Sequence, residues 1–329
     1  MIVTVTPNPS IDRTLEVPAV RRGEVIRVRS ATSEAGGKGI NVSRALATMG
    51  VATSAIAPGS AATKARLDDL LGGSIVLRTV DIDGDIRTNL SLVEPDGTVT
   101  KVNEPGPTLD EATAARLLDD IVAAALEILA ADGAGPGLGR VPAEGPSERW
   151  VVASGSLPPG LPDGFYAELA ARMPDDVRVA VDADRSVLRA VVGRRVALLK
   201  PNHVELEELM GRSLATLGDV ADAAAELVAS GADTVLVSLG SDGALVADRD
   251  GACHAEASID DVANPVGAGD ALLAGFVAAG ARRSGLPSAI AWSVAACRAS
   301  GTRMPRVTPR DEAAVVLRPA VDRDRRLAG

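Results

Sequence analysis

Residues 264–276 read NPVGAGDALLAGF and combine glycines, one carboxylate and an apolar helical pattern. The small and apolar residues after Gly267 predict a tightly packed helix that begins at about that glycine. A helix start presents unpaired N–H groups and the positive end of the helix dipole, which favour an anion. Asp270 would repel a phosphate there, but it could take a proton from a hydroxyl that attacks the phosphate. The alternative is that Asp270 only favours the first helical turn and that the glycines only permit close packing.

Strand and helix patterns alternate along most of the chain. Short apolar runs predict buried strands at residues 2–5, 150–154, 178–184, 196–202 and 234–240. Longer segments rich in Ala, Leu and Glu predict helices at residues 40–49, 110–131, 163–172, 203–210, 219–230, 267–282 and 287–300. This alternation is typical of an α/β fold whose parallel sheet is covered by helices on both faces.

Two early regions interrupt the alternation. Residues 11–34 and about 85–103 alternate apolar and polar positions, and residues 95–97 (Pro-Asp-Gly) are typical of a hairpin turn. They predict a small, partly exposed antiparallel sheet that serves as a lid or as a dimerisation surface. The predicted division is an α/β core of residues 1–10, 35–84 and 104–329 and a β-sheet lid of residues 11–34 and 85–103.

The composition argues against several kinds of partner. Aromatic residues make up only 2% of the chain and the net charge is −10, so stacked-base recognition, a nucleic acid and a membrane surface are all disfavoured. A phosphate site must therefore be local, built from a few basic groups, backbone amides and Mg²⁺.

The cysteines, the histidines and the first residues suggest no other site. Cys253 and Cys297 form no CxxC pattern, which indicates reduced thiols in a cytosolic protein. His203, expected early in a helix, and His254 are the only histidines and lack zinc spacing. Residues 1–8 form a strand pattern without a basic region or long apolar run, so we expect no signal peptide or membrane span and a cytoplasmic location.

Residues 132–148, DGAGPGLGRVPAEGPSE, superficially match a dinucleotide fingerprint. That fingerprint must follow a strand and open a helix, whereas this segment follows a helical pattern and contains prolines. It is therefore predicted to be a loop insertion.

A second glycine-rich stretch, GGKGINVSRAL at residues 36–46, runs into a helix. It is not a Walker A loop, because Lys38 is followed by Gly39 rather than by Ser or Thr. Its glycines could let backbone amides reach sugar hydroxyls, Asn41 offers a donor and an acceptor, and Lys38 could hold a phosphate. The alternative is a strand-to-helix turn with a solvent-exposed lysine.

Two side chains near the first strand are candidate ligands for a sugar phosphate. Asp12 follows the strand end that faces the ligand crevice in open α/β sheets, and its carboxylate could accept two hydroxyl hydrogen bonds. It could equally be a turn residue. Arg87 lies where the lid would cross the crevice, and a guanidinium binds phosphate bidentately. Arg27 is a weaker second candidate.

Two later strand ends carry motifs with two interpretations each. In KPNHVELEEL, residues 200–209, Asn202 and Glu205 could cap a helix, or Glu205 could hold a water-coordinated Mg²⁺ near nucleotide phosphates. In SLGSDGA, residues 238–244, Gly240 and Gly243 could support a nucleotide or simply form a hairpin turn.

The order of these motifs is more specific than any one of them. Asp12, GGKGIN, Arg87, SGSLPPG (154–160), KPNxxE, SLGxxG and GAGD together closely resemble the PfkB/ribokinase superfamily of carbohydrate kinases over about residues 1–305. TPNPSID at residues 6–12, Lys38 and SGSLPPG look most like the 1-phosphofructokinase and tagatose-6-phosphate kinase branch. The resemblance implies a ribokinase-like three-layer sandwich with a mainly parallel sheet.

The resemblance also implies the site residues. Asp270 is the expected catalytic base, and the amides of Gly267, Ala268 and Gly269 are the expected anion hole. The residues implied to bind the sugar phosphate are Asp12, Gly37, Lys38, Asn41 and Arg87. Those implied to line the ATP and Mg²⁺ side are Asn202, Glu205 (the metal contact, through water), Ser238, Gly240 and Gly243.

One position departs from the family pattern. Asn264-Pro265-Val266 stands where the family usually has a Ser/Thr- or Asp-Thr pair. The change removes a hydroxyl and a backbone donor near the phosphates. The sequence therefore does not determine how the nucleotide or the metal binds at these residues.

The implied activity is ATP-dependent phosphorylation of a hexose monophosphate, with fructose 1-phosphate as the leading substrate and fructose 1,6-bisphosphate as its product. Tagatose 6-phosphate, fructose 6-phosphate, a neutral sugar or a nucleoside are alternatives, although Lys38 and Arg87 favour a phosphorylated substrate. A non-catalytic sugar-phosphate sensor is disfavoured by Asp270 and its glycines. A dinucleotide-dependent oxidoreductase is disfavoured because no GxGxxG follows residues 3–6. The exposed lid predicts a homodimer.

Overall fold

The computed structural model describes residues 1–131, 148–299 and 305–328. The strands in these ranges are β1 (Ile2–Val5), β2 (Ser10–Glu16), β3 (Ser30–Gly36), β4 (Thr53–Pro58), β5 (Val76–Val80), β6 (Arg87–Val93), β7 (Val99–Asn103), β8 (Arg149–Ser154), β9 (Val177–Asp182), β10 (Val196–Leu199), β11 (Ala232–Ser238), β12 (Ala244–Asp248), β13 (Gly251–Ala257) and β14 (Val315–Arg318). The helices are α1 (Lys38–Thr48), α2 (Ala61–Leu71), α3 (Glu111–Ala131), α4 (Phe165–Ala171), α5 (Arg185–Val191), α6 (His203–Met210), α7 (Leu217–Ala229), α8 (Ala268–Ala278), α9 (Leu286–Arg298) and α10 (Pro309–Ala313). The loop predicted at 132–148 lies outside the described residues except for Glu148.

The main sheet has ten strands in the order β14-β13-β12-β11-β10-β9-β8-β1-β4-β5. Neighbours from β5 to β11 pair in parallel, and β12, β13 and β14 add an antiparallel edge. Helices α1, α8 and α9 pack on one face and α3 to α7 on the other. Burial on both faces explains why inner strands such as β1 and β10 are largely apolar. The predicted α/β sandwich is confirmed.

The chain order of the strands places the ligand crevice. From β1 the chain passes to β4 and β5 on one side, and later to β8 and β9 on the other. Ligands of open α/β sheets bind at such a reversal of strand order, outside the carboxyl ends of the strands. The segments that follow β1 and β8 therefore face the crevice.

The second sheet has four strands in the order β3-β2-β6-β7. It is mixed rather than antiparallel as predicted, because β2 and β6 pair in parallel. The chain leaves this sheet after β3, forms α1 to β5 in the core, and returns to β6, and such a crossover makes the two strands parallel. The predicted hairpin turn at residues 95–97 is confirmed, since Gly97 N donates to Glu94 O at 3.0 Å between β6 and β7.

Part of the predicted strand pattern in the small sheet is wrong. EVIRVRS, residues 24–30, lies outside the strands except for Ser30, which begins β3. Its apolar positions have no buried face to serve, and Val25 is 82% exposed. Alternation without a partner surface does not make a strand.

Several boundaries and elements also differ from the prediction. Helix α8 ends at Ala278 rather than at residue 282, because Gly280 and Ala281 turn the chain with φ of 83° and 51°. Helices α2, α5 and α10 and the strands β4, β5, β12, β13 and β14 were not predicted. Helix α2 buries only Thr63, Leu67 and Leu71, so its apolar signal is sparse. No helix in the described ranges is long and apolar enough to cross a lipid bilayer.

Candidate active site

Asp270 lies in the first turn of α8 and is only 9% exposed. The helix begins at Ala268 because Gly267 takes a left-handed conformation, with φ of 85°, that favours glycine. Asn41, in α1, donates a hydrogen bond from Nδ2 to Asp270 Oδ2 at 2.9 Å. Burial and the negative charge of Asp182 raise the pKa of Asp270 to about 6, against the Asn41 hydrogen bond. Asp270 is thus a carboxylate that titrates close to neutral pH.

Asp182, the last residue of β9, is 1% exposed and binds two ammonium groups. Lys38 Nζ donates to its Oδ1 at 2.9 Å and Lys200 Nζ donates to its Oδ2 at 2.8 Å. Burial opposes ionisation of Asp182, but Lys200 and Lys38 lower its pKa to about 2. Lys38 keeps its charge for the same reason: burial disfavours the ammonium, and Asp182 raises the Lys38 pKa nonetheless. Lys38 is therefore not a solvent lysine, although its side chain remains 33% exposed.

The start of the small sheet holds Asp12 in place. Asp12 Oδ1 accepts hydrogen bonds from Ser10 Oγ at 2.7 Å and from Asn89 Nδ2 at 2.9 Å. In the parallel register Ser10 lies opposite Arg87 and Asp12 lies opposite Asn89, so the four side chains share one face. At Gly36, on the neighbouring strand, a Cβ would stand 2.3 Å from Asp12 Oδ2. The Asp12 carboxylate is therefore held in place by Ser10, Asn89 and the close approach of Gly36, and Asp12 is not an ordinary turn residue.

Gly37 links this sheet to α1 and comes close to the end of β1. It is the N-cap of α1 with φ of 119°, and a Cβ there would stand 2.6 Å from Thr6 Cγ2. Both the dihedral angle and the close approach require glycine. The fold alone therefore requires glycine at position 37, whether or not a ligand binds there. The backbone of this turn lies beside the crevice.

Arg87 begins β6 and is half-buried. Burial lowers the Arg87 pKa, against the attraction of Asp12 and Asp184. Its Nη1 donates only a long hydrogen bond of 3.5 Å to Glu104 O. By contrast, Arg27 is exposed between β2 and β3. Of the two predicted anchors, only Arg87 stands beside Asp12.

Buried polar atoms without a hydrogen-bond partner concentrate around the crevice. Among the residues that the structure describes, these atoms are Thr6 Oγ1, Asn8 Oδ1, Asn41 Oδ1, Arg87 Nε, Asn89 Oδ1 and Ser154 Oγ. They lie at or just after the ends of β1 and β8, in α1 and in β6. A buried polar atom without a partner costs about 1–3 kcal/mol, so their concentration points to a ligand rich in hydroxyl groups.

A cavity of about 830 Å³ adjoins the start of α8 and takes Ala268 and Gly269 as part of its wall. Its volume suits a small-molecule ligand. Four of the residues predicted for the nucleotide side line it, namely Asn202, Ser238, Gly240 and Gly243. The remainder of the lining is His203, Val204, Leu239, Ser241, Asp242, Ala257, Ser258, Ile259, Val262, Pro265, Leu272, Ile290, Ser293, Val294, Cys297 and Leu327.

Glu205 is the one predicted nucleotide-side residue that is not part of this lining. Glu205 N donates to Asn202 Oδ1 at 2.9 Å and Asn202 N donates to Glu205 Oε2 at 2.8 Å, which is a capping box. Burial raises the Glu205 pKa, an effect that the hydrogen bond from Asn202 opposes. The predicted capping of α6 by Asn202 and Glu205 is therefore confirmed. The capping bond uses Oε2 alone, so a second role for the carboxylate is compatible with it.

The side chains around Glu205 suit Mg²⁺ only through a water-mediated contact. No group of three His, Cys, Asp or Glu side chains that could enclose a metal occurs in residues 1–131, 148–299 and 305–328. Mg²⁺ commonly keeps several waters and is held by one or two carboxylates together with nucleotide phosphates. Glu205 fits a water-mediated contact of this kind.

The loop between β11 and β12 combines a turn with a cavity wall. Gly240 has φ of 60° and begins a short 3₁₀ turn. At Gly243 a Cβ would stand 2.1 Å from Ala255 O, so packing against β13 alone requires glycine there. Ser238 pairs with Asn202 in an isolated bridge that joins this loop to α6. The hairpin interpretation and the nucleotide interpretation are thus both compatible with the loop.

The departure at residues 264–266 forms a turn before α8. Asn264 Oδ1 accepts a hydrogen bond from Val266 N at 3.0 Å, and Pro265 O accepts one from Ala268 N at 3.2 Å. Of the three amides expected in an anion hole, that of Ala268 is therefore engaged by a long bond. Pro265 itself lines the cavity.

Two residues at the centre of the site had no predicted role. Asp182 and Lys200 lie within segments that were assigned as strand ends, but neither received a role. Each stands at or just after the carboxyl end of a parallel strand, where the crevice is expected, and this position was the available signal. The cavity residues Cys297 and Leu327 carried no such signal, because they come from the last turn of α9 and from the 305–328 segment.

Known proteins resemble the chain over most of its length. Residues 6–304 match the description "pfkB family carbohydrate kinase", and the 305–328 segment lies beyond that match. A 1-phosphofructokinase of Rhodobacter capsulatus is 36% identical over 84% of this chain and 82% of its own length. A 1-phosphofructokinase of Haloferax volcanii is 34% identical over 93% of both chains.

A solved structure shares the fold. The phosphofructokinase-2 of Escherichia coli, in complex with fructose-6-phosphate, superimposes with a TM-score of 0.77. It is 30% identical, and the alignment covers 95% of this chain and 96% of that one. The ribokinase-like fold class expected from the motifs is confirmed.

Proposed function

The chain belongs to the pfkB family of carbohydrate kinases, and from this membership we propose that it transfers the γ-phosphoryl group of ATP to fructose 1-phosphate, giving fructose 1,6-bisphosphate. It is an ATP-dependent sugar kinase, and its 1-phosphofructokinase relatives cover most of its length. The observation that carries the proposal is the position of Asp270: Asn41 connects it to the sugar crevice, and Gly269 next to it lines the cavity.

We propose that Asp270 is the general base. Asn41 holds Oδ2, so the carboxylate keeps one orientation while it accepts the hydroxyl proton. The hydroxyl oxygen then attacks the γ-phosphorus, the bond from that phosphorus to the β,γ-bridging oxygen breaks, and ADP leaves. The proton remains on Asp270 until it passes to solvent.

The start of α8 and two lysines would offset negative charge during transfer. The amides of Gly267, Ala268 and Gly269 form the proposed anion hole at the positive end of the helix dipole. A phosphoryl oxygen would replace Pro265 O as the acceptor for the Ala268 amide. Lys38 and Lys200 both bind Asp182, and two lysines beside one carboxylate would add local positive potential to an acidic chain.

The sugar phosphate would bind on the crevice side. Asp12 would accept sugar hydroxyls, and Arg87 would bind the phosphate already present on the substrate. Gly37 and Asn41 would contribute a backbone amide and a side-chain amide, and Lys38 a second cation. The unpaired buried atoms around the crevice would supply the remaining donors and acceptors.

The nucleotide would occupy the cavity beside α8. Asn202, Ser238, Gly240 and Gly243 line it and would contact ATP. Glu205 would hold a water bound to Mg²⁺, and that metal, when present, neutralises phosphate charge. One carboxylate would suffice for such a contact, because Mg²⁺ is commonly held by one or two carboxylates together with nucleotide phosphates.

A second substrate has a specific observation in its favour. The Escherichia coli structure that shares the fold contains fructose-6-phosphate, so fructose 6-phosphate is the alternative acceptor. Both sugars carry a phosphate that Arg87 and Lys38 would bind, and they differ in which hydroxyl meets Asp270.

Three broader features are also proposed. Residues 11–34 and 85–103 form a lid domain on the core, and two copies pair through this lid, whose valines at positions 99 and 102 are exposed. The protein works in the cytoplasm on small molecules, without a nucleic acid or membrane partner.

An ADP-release assay over a panel of acceptors tests the substrate. Fructose 1-phosphate, fructose 6-phosphate, tagatose 6-phosphate, fructose and ribose are compared by kcat/KM. We expect fructose 1-phosphate to give the highest value and the neutral sugars the lowest. A higher value for fructose 6-phosphate would favour the alternative, and no turnover of any acceptor would refute the proposal.

A further inference from the structure

The 305–328 segment returns to the nucleotide cavity after it leaves the main sheet. Its strand β14 pairs with β13, where Val315 lies opposite the cavity residue Ala257. Further on, Arg326 forms a bridge with Thr216, just before α7. Leu327 then lines the cavity itself. One segment thus contributes both to the cavity wall and to the sheet behind it.

The end of this segment fixes one wall of the cavity through a buried carboxylate. Asp242 belongs to the cavity-lining loop 238–243 and is 7% exposed. Its Oδ1 binds Arg325 Nη2 at 3.2 Å, and its Oδ2 accepts a hydrogen bond from Ala328 N at 2.7 Å. Arg325 Nη1 also binds Glu256 Oε2 at 2.5 Å, which fixes the guanidinium. Both oxygens of Asp242 are therefore held by residues 325–328.

The start of the segment also contacts a second stretch of the cavity lining, around residues 257–262. Asp261 lies between the cavity residues Ile259 and Val262. Arg310, in α10, is 3.0 Å from Asp261 Oδ2, and Arg298 donates to Asp261 Oδ1 at 2.8 Å. The 305–328 segment thus contacts two separate stretches of the cavity lining, at residues 238–243 and 257–262.

We propose that residues 325–328 form part of the nucleotide site: Leu327 contacts the nucleoside part of the bound nucleotide, and Arg325 positions the 238–243 loop through Asp242. The inference rests on the proposed function only in taking the cavity as the ATP site. An apolar side chain offers nothing to a phosphate, whose place is at the start of α8, so the contact is to the base or ribose.

The test is ATP binding by calorimetry without any sugar, followed by KM for each substrate. Leu327→Ala should weaken ATP binding about fivefold and Arg325→Ala about tenfold, with KM for the sugar phosphate changed by less than about twofold. Arg325→Lys should recover part of the loss, because it keeps one charge beside Asp242. Arg323→Ala is the matched control, since its side chain pairs with Asp222 on the surface of α7, 2.6 Å away.

The outcomes separate this inference from the proposed function. Normal ATP binding by both Leu327→Ala and Arg325→Ala, or an equal loss with Arg323→Ala, would overturn it. So would a wild-type chain that binds no ATP. If Arg325→Ala fails to fold, Leu327→Ala decides, because it breaks no ion pair. A chain that binds ATP but phosphorylates no sugar would contradict the proposed function, and the Leu327 measurement would still stand.

Discussion

Asn41 Nδ2 lies 2.9 Å from Asp270 Oδ2, although the two residues are 229 positions apart in the sequence. Asn41 comes from the GGKGIN turn and Asp270 from the GAGD turn, and the contact of α1 with α8 brings the turns together. Because Asn41 Oδ1 has no partner among the described residues, its amide can still accept a hydrogen bond from a sugar hydroxyl. This single side chain connects the proposed base to the proposed acceptor.

The pH dependence should report the ionisation of Asp270. Burial raises its pKa to about 6, and only the ionised form can accept a proton. Activity should therefore be lost as the pH falls through about 6, with kcat/KM decreasing about tenfold per unit below it. An aspartate with an ordinary pKa would keep its activity to about pH 4.

The substrate phosphate also titrates in this range, so a variant must identify the group. Asn41→Ala removes a hydrogen bond that lowers the Asp270 pKa, and it should move the acidic limb to higher pH. An unchanged limb in Asn41→Ala would assign the titration to the substrate or to another residue.

Gly36→Ala should displace Asp12. The added methyl would stand 2.3 Å from Asp12 Oδ2, so the carboxylate must move away from Ser10 and Asn89. We expect KM for the sugar phosphate to rise about tenfold or more while KM for ATP stays within about twofold. Gly164→Ala, where nothing lies within 4 Å of the added Cβ, is the matched control. Equal kinetics for the two variants would contradict the placement of Asp12 in the sugar site.

Arg87→Ala should weaken binding of a phosphorylated acceptor. Loss of a charge-assisted contact to phosphate costs about 1.5–3 kcal/mol, so KM for fructose 1-phosphate should rise roughly 10- to 150-fold. Steady-state kinetics with Arg27→Ala provide the control, since Arg27 is exposed outside the strands. If Arg27→Ala showed the larger effect, the anchor would be assigned to the wrong arginine.

Glu205→Gln separates the two roles of this side chain. Glutamine keeps an acceptor for Asn202 N, so the capping box should survive and thermal stability should change little. The removal of the charge should raise the Mg²⁺ concentration required for half-maximal rate by about 10-fold or more. A matched Mg²⁺ dependence in the variant and the wild-type chain would leave Glu205 with a capping role alone.

Local patterns identified the parallel strands β1, β8, β9, β10 and β11 but not β4 and β5. Strands β1 and β10 are buried along their whole length, so the runs at residues 2–5 and 196–199 are largely apolar and easily recognised. The pairing of β2 with β6 was not predictable in this way, because strand direction depends on where the chain returns from the core. Residues 24–30 show the converse error, since their alternation has no surface to pack against.

The site was predictable where function requires unusual residues. Glycines with positive φ, such as Gly37 and Gly267, and a carboxylate at a helix start stand out in a sequence. Asp182 and Lys200 did not stand out, because an aspartate or a lysine at a strand end is common and their pairing depends on the order of β9 and β10 in the sheet. The contribution of Leu327 depends on the path of the last segment, which local pattern does not determine.

Single-turnover phosphoryl transfer by Asp270→Asn tests the central claim most directly. The experiment mixes the variant and the wild-type chain with ATP and fructose 1-phosphate at saturation, and calorimetry first establishes that both still bind each ligand. Because asparagine cannot accept the hydroxyl proton, the rate should fall roughly 10²- to 10⁴-fold with binding nearly unchanged. A rate within a few-fold of wild type would contradict the assignment of Asp270 as the base.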